Sequence, residues 1–108
     1  MKPVLITSTT SSLEEARNIA SVLVKEKLAA CVNIIGPIRS IYTWKDKIEE
    51  EEEYKLFIKS FETNWLALST SIKKHHSYAV PEITMLHIEN TNPDYLDWMH
   101  QVCIEEIV

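Results

Sequence analysis

Two strand-like runs on either side of five consecutive glutamates constrain this chain more than any other feature. Residues 38–44 (IRSIYTW) and 54–59 (YKLFIK) are rich in β-branched and aromatic residues, and the run from Glu49 to Glu53 lies between them. They predict a β-hairpin that projects past a small core. Two strands alone leave most backbone groups in water, so another surface must cover the hairpin.

The second strand of this hairpin lacks the apolar–polar alternation of a half-buried strand. Leu56, Phe57 and Ile58 are all apolar, so both faces of the strand require burial. The helices of the same chain can cover only one face. We expect a second copy of the chain to cover the other.

The glutamate run has two interpretations. Carboxylates suit calcium or magnesium, so the run could attract cations. However, it lacks the glycine and the spacing of a calcium loop, and adjacent strand residues point to opposite faces. These features favour a solvated hairpin end.

Length, charge and cysteine content narrow the class of protein. A chain of 108 residues is expected to form one domain, 1–108. The net charge of −5 and the scattered Lys and Arg residues argue against a nucleic-acid partner. Cys31 and Cys103 form no disulfide or zinc pattern, which predicts reduced thiols. No signal-peptide core or membrane-spanning run occurs, which predicts a cytoplasmic protein without membrane insertion.

The first half of the chain reads as strand, helix and strand. Residues 4–9 are β-branched in their centre, and Ser12 followed by Glu15 forms a capping box for an amphipathic helix. Residues 29–35 then become small and β-branched. Gly36-Pro37 predicts a break before the hairpin.

The second half adds two helices and a strand. Thr63 or Asn64 can cap a helix that ends near His75, residues 83–88 form a strand, and Asn92 caps a last helix. The whole order predicts an α+β, ferredoxin-like sandwich (βαββαβ plus a C-terminal helix) with a long β-hairpin. Helices would cover one face of its antiparallel sheet.

His75, His76 and Glu82 are the candidate metal ligands. Imidazole and carboxylate suit copper, nickel or zinc, and copper binds such groups most strongly among the first-row divalent ions. Successive helical residues diverge by about 100°, so one ion can use both histidines only if the helix has ended or a second chain contributes. The alternative is a histidine pair that caps a helix C-terminus. Cys31 has small apolar neighbours, which favours a packed thiol over a catalytic nucleophile and leaves a soft metal ligand open.

The other chemical signals are weaker. Most of the aromatic residues fit a core or a subunit interface, and Trp44 and Tyr78 could also line a cleft. The sequence has no phosphate loop, Ser-His-Asp order or cofactor fingerprint. We therefore expect a protein that is not an enzyme.

Four motifs in this chain resemble those of the CutA divalent-cation tolerance proteins, in the same order and at similar separations. They are 27–33 (KLAACVN), 40–49 (SIYTWKDKIE), 76–82 (HSYAVPE) and 92–96 (NPDYL). The resemblance implies a cytoplasmic, ferredoxin-like homotrimer that is similar in architecture to the PII signalling proteins. It also implies tolerance of divalent metals and copper binding by His75 and His76, with Glu82 nearby.

The chain departs from the family pattern at three places. The family usually has proline at Ser77 and glycine at Asp46, so the loop after His76 and the hairpin turn are expected to differ in shape. Some copper-binding members also have a cysteine where this chain has Thr7-Ser8. Loss of a soft thiolate predicts weaker Cu(I) binding.

Three functions remain open at this point. The first is a homotrimeric divalent-cation tolerance or response protein that binds a copper ion. The second is a PII-like signalling module that binds a small anionic ligand between subunits. The third is a structural trimeric scaffold.

Overall fold

The computed structural model describes residues 2–103, which form an antiparallel sheet of four strands with three α-helices. The elements are β1 (Pro3–Thr10), α1 (Leu13–Lys25), β2 (Cys31–Trp44), β3 (Lys47–Phe61), α2 (Trp65–His75), β4 (Ile83–His87) and α3 (Pro93–Val102). The strands lie in the order β2-β3-β1-β4, and the predicted α+β, ferredoxin-like fold is confirmed. None of the helices within residues 2–103 is long and apolar enough to cross a membrane.

Helices α1 and α2 cover one face of the sheet. Alternate residues of the central strands point to this face, and Ile6, Leu56 and Ile58 are completely buried there. The Ser12 side chain accepts a hydrogen bond from Glu15 N at 3.1 Å, which confirms the predicted cap of α1. The buried stripe of the helices is supplied by Ala16, Ile19, Leu23, Leu68 and Ile72.

The long hairpin is more continuous than the sequence predicted. Gly36-Pro37 does not end a strand: β2 runs from Cys31 to Trp44 with a register shift between Ile35 and Ile38. Such a bulge admits extra residues without ending the pairing. A β-carbon at Gly36 would collide with the ring of Tyr54, which explains why glycine occupies the bulge.

The glutamate run lies within β3 and not at the hairpin end. The end is a two-residue turn, Lys45 and Asp46, with φ angles of 50° and 65°. Glu49 pairs opposite Tyr42 and Glu53 opposite Ile38. The predicted solvated hairpin end is therefore wrong in position. It is also wrong in burial for Glu53, which is only 6% exposed.

In the part of the chain that the structure describes, several apolar side chains on the opposite sheet face are half exposed. Phe57 is half-buried there, and Ile35 and Leu86 are each 50% exposed. Their strand positions alternate with the core residues, so α1 and α2 cannot reach them. We call Leu5, Ile35, Phe57 and Leu86 the open face.

Helix α3 packs against the end of β3. Phe61 and Met99 are buried together with Cys103, and the Phe61 ring stacks on His100 at 4.5 Å. Asn64 is the N-cap residue of α2, but its side chain makes no capping bond. It donates to Ser60 Oγ and Cys103 Sγ instead. Cys31 is half-buried, and Cys103 is buried.

Candidate functional site

A cavity of about 600 Å³ lies beside the hairpin, on the sheet face opposite α1 and α2. The hairpin and the loop after α2 form its walls. Trp44 and Tyr78 both line it, which confirms the predicted cleft. Its other lining residues are Thr9, Ser40, Tyr42, Glu53, Lys55, Ser77, Ala79, Val80 and Glu82. We call this space the hairpin cavity.

Tyr78 joins the two walls of the hairpin cavity. Its hydroxyl donates to Oε2 of Glu53 at 2.6 Å. Burial raises the pKa of Tyr78, and the hydrogen bond to Glu53 and the charge of that carboxylate raise it further. Tyr78 therefore stays a neutral phenol and a hydrogen-bond donor across the physiological pH range.

Glu82 is the acceptor of a polar network on the same face. Its carboxylate accepts hydrogen bonds from Lys55 Nζ at 2.8 Å, Thr7 Oγ1 at 2.7 Å, Thr9 Oγ1 at 2.9 Å and Thr84 Oγ1 at 2.9 Å. Burial acts to raise its pKa. The bonds from Lys55 and the threonines outweigh burial and lower the pKa of Glu82 to about 2. Glu82 is thus an anion that already has a cationic partner.

His76 is a buried link between the strand β1 and the loop after α2. Its side chain is fully buried, with Nε2 2.8 Å from the carbonyl oxygen of Thr9. The backbone N–H of Tyr78 donates to Nδ1 at 3.1 Å. A carbonyl only accepts, so Nε2 is the donor in the contact with Thr9, while Nδ1 accepts from the Tyr78 N–H. A Glu15 oxygen lies 3.4 Å from Nδ1, and the same oxygen accepts from Ser77 N.

His75 lies in the helical layer. Its Nδ1 is 2.9 Å from the carbonyl oxygen of Ser71, and the side chain lines a separate cavity of about 470 Å³ between the ends of α1 and α2. Glu82 lies on the other side of the sheet, among the threonines of β1 and β4. One protomer therefore does not bring His75 and Glu82 together.

Within residues 2–103 of one protomer, the predicted copper ligands are not placed to share a metal ion. Both nitrogens of His76 bond to backbone groups, and Glu82 is held by Lys55 and three threonines. Within residues 2–103, no group of three or more His, Cys, Asp or Glu side chains is placed to hold a metal ion. The copper-ligand assignment stays a prediction, and it now requires a second chain.

Sequence reasoning missed Glu53 and Lys55 as site residues. Their strand positions carried a usable signal, because odd-numbered residues of β3 share the face that carries Phe57. The sequence placed the glutamate run at the hairpin end and not within β3, so the alternation of faces was not applied to Glu53. Placing Glu53 in the cavity also required the loop that contains Tyr78, which lies 25 residues further along the chain.

Residues 4–102 match the sequence model of the family described as CutA1 divalent ion tolerance protein. The chain belongs to this family. The resemblance of its four motifs is thus confirmed. A protein described as protein CutA from Mus musculus is 46% identical over 87 residues, which cover 81% of this chain and 49% of the mouse protein. The divalent-cation tolerance protein CutA of Thermus thermophilus is 43% identical over 93 residues, covering 86% of this chain and 90% of that protein.

Solved structures of the CutA family have the same fold. CutA1 from Oryza sativa superposes with a TM-score of 0.95 at 35% identity, over 98% of this chain and 97% of the other. The protein from Archaeoglobus fulgidus gives a TM-score of 0.90 at 38% identity, over 93% and 97%. The latter is described as a periplasmic divalent cation tolerance protein, so the cytoplasmic location of this chain stays a prediction.

Proposed function

We propose that this protein is a cytoplasmic, homotrimeric divalent-cation tolerance or response protein. The observation that carries the proposal is the match of residues 4–102 to the CutA1 family. The mouse relative is about twice as long as the matched region, so the proposal concerns only the part that this chain represents. We assign it a binding role and not a catalytic one.

The open face supports self-association. Ile35 and Leu86 are half exposed, and they lie on the same sheet face as the half-buried Phe57. An apolar sheet face of this kind is stabilised when a second surface removes it from water. The long hairpin gives the molecule a length of 44 Å against 25 and 23 Å in the other directions. It can therefore reach across a neighbouring copy.

The proposed cation response does not depend on a site formed by His75, His76 and Glu82 of one protomer. His75 and Glu82 lie on opposite sides of the sheet and do not meet. If copper binds through these residues, the ion must take ligands from two neighbouring chains. A His75→Ala variant is the cleanest test of that possibility, since His75 makes one hydrogen bond to its own helix. Removing His76 would also remove a buried structural link.

A combined experiment tests the proposal. Sedimentation at micromolar concentration gives the oligomeric state, and thermal denaturation with Cu(II), Zn(II), Mg(II) or Ca(II) gives the cation response. We expect a trimer that at least one divalent ion stabilises, because a ligand selective for the folded state raises apparent stability. A monomer, or a trimer that no divalent ion affects, contradicts the proposal.

The PII-like alternative needs an anionic ligand in a cleft. The hairpin cavity has two carboxylates, Glu53 and Glu82, against one ammonium, Lys55. Lys55 already pairs with Glu82. These charges oppose an anion, and we therefore rank the cation response first.

A further inference from the structure

We propose that the hairpin cavity binds a small organic cation, such as a protonated amine or a quaternary ammonium group. The inference is independent of the metal-tolerance proposal. It rests on the size of the cavity, on one buried carboxylate and on the aromatic residues beside it.

Glu53 is a buried carboxylate that has no ionic partner within residues 2–103. The residue is 6% exposed, and its one hydrogen-bond donor in the described structure is the neutral phenol of Tyr78. Within residues 2–103, no Lys, Arg or His nitrogen lies within 4.0 Å of the Glu53 carboxylate. Buried charges in proteins are normally paired. A cation bound in the cavity would supply the missing partner.

The remaining charges of the cavity do not compensate Glu53. Lys55 Nζ donates to Oε1 of Glu82 at 2.8 Å and to Thr9 Oγ1 at 3.3 Å. Its charge is therefore already paired with that of Glu82. Glu49 and Glu51 lie at alternate positions of β3 on the same side as Glu53. Burial raises the pKa of Tyr42, which lines the cavity, and the charges of Glu51, Glu53 and Glu49 raise it further. The local field is therefore negative.

Aromatic side chains favour an organic cation over a bare metal ion. Tyr42, Trp44 and Tyr78 line the cavity, and Trp44 is 49% exposed. Aromatic faces attract ammonium groups, and tryptophan does so most strongly. A metal ion instead needs several ligand atoms within about 2.5 Å, whereas this cavity of about 600 Å³ has the size of a metabolite site.

Calorimetric titration of the full chain in its solution assembly tests the proposal. The probes are tetramethylammonium, its neutral near-isostere tert-butanol, and inorganic phosphate, in a buffer free of amines. We expect tetramethylammonium to bind once per chain and the other two probes to bind far more weakly. No binding of tetramethylammonium, or equal binding of tert-butanol, overturns the proposal.

Three variants locate the site. Glu53→Gln keeps the shape and an acceptor for Tyr78 but removes the charge, and it should weaken binding about tenfold or more. Trp44→Leu should weaken it about threefold. Glu50→Gln is the matched control: Glu50 is a neighbour in the same strand that points to the other face and pairs with Arg39 at 3.4 Å. Equal affinity of the wild type and Glu53→Gln, or an equal loss in Glu50→Gln, overturns the assignment.

Discussion

The hydroxyl of Tyr78 lies 2.6 Å from Oε2 of Glu53 and ties the loop after α2 to the middle of the long hairpin. His76 holds the same loop from the other side, because its Nδ1 accepts the backbone N–H of Tyr78. The rings of His76 and Tyr78 are also in contact, with centroids 5.0 Å apart. Contacts of His76 and Tyr78 thus hold the loop that forms one wall of the hairpin cavity.

Removing the Tyr78 hydroxyl should destabilise the fold. Tyr78→Phe leaves the buried Glu53 carboxylate without its donor, and an unsatisfied buried acceptor costs about 1–3 kcal/mol. The free energy of unfolding in urea, measured at a fixed protein concentration, gives this cost. The matched control is Tyr42→Phe, whose more exposed side chain should change stability by less than about 0.5 kcal/mol. Equal effects of the two variants would contradict the proposed role of the hydrogen bond.

Glu82 should make the protein sensitive to acid. Its folded pKa is about 2 against an ordinary value of 4.5, so its stabilising contribution is complete above about pH 4.5 and is lost as the pH falls through about 2. The Glu82 side chain is 38% exposed. Screening therefore reduces the contribution to about 1 kcal/mol. Melting temperatures between pH 5 and pH 2 should fall less steeply for Glu82→Gln than for the wild type. Parallel profiles would show that Glu82 carries no such linkage.

His76 should be more important for stability than for metal binding. His76→Ala leaves the Thr9 carbonyl oxygen and the Tyr78 N–H without their partner and opens a cavity, which predicts a loss of about 2–4 kcal/mol. His87→Ala is the control, since the His87 side chain is 58% exposed. Chemical denaturation measures both variants. A His76→Ala protein as stable as His87→Ala would refute the structural role.

The hairpin turn offers a stabilising substitution. Asp46 has a φ of 65°, a conformation that glycine adopts without strain. A left-handed residue with a β-carbon costs about 1–2 kcal/mol, and the greater chain entropy that glycine loses on folding offsets part of this cost. Asp46→Gly should therefore raise the free energy of unfolding by about 0.5–1 kcal/mol. Asp46→Ala removes the same carboxylate but keeps a β-carbon, so it should give no gain. If both variants stabilise equally, charge and not backbone strain is the cause.

The open face should carry the subunit contacts. Leu86→Glu places a charge on this face and should shift sedimentation from the proposed trimer to a monomer, because burying an unpaired carboxylate is costly. Leu66→Glu is the matched control, a 73% exposed leucine on α2, away from the open face. It should leave the oligomeric state unchanged. A trimer in the Leu86→Glu protein would place the interface elsewhere.

The sequence predicted the element order well, because those signals are local. The Ser12 cap, the stripe that contains Ile19 and Leu23, and Asn92 before Pro93 each act within one or two helical turns. The lack of alternation at Phe57 is also a local signal, and the sheet face that carries Phe57 has further apolar residues in the half-exposed Ile35 and Leu86. Its covering by a second copy of the chain stays a prediction. The four motifs identified the family, which the match over residues 4–102 confirms.

The site was decided by contacts between segments that are distant in sequence. The hydroxyl of Tyr78 donates to Glu53 although 25 residues separate them in sequence. The ring of His76 lies 2.8 Å from the carbonyl oxygen of Thr9, which is 67 residues earlier in the chain. His75 and Glu82 are seven positions apart, yet the sheet separates them. Local patterns determine which face of an element is apolar, whereas the partner of each polar group depends on where remote segments meet. Sequence alone therefore determined the fold and the family, and tertiary structure decided which side chains share a cavity.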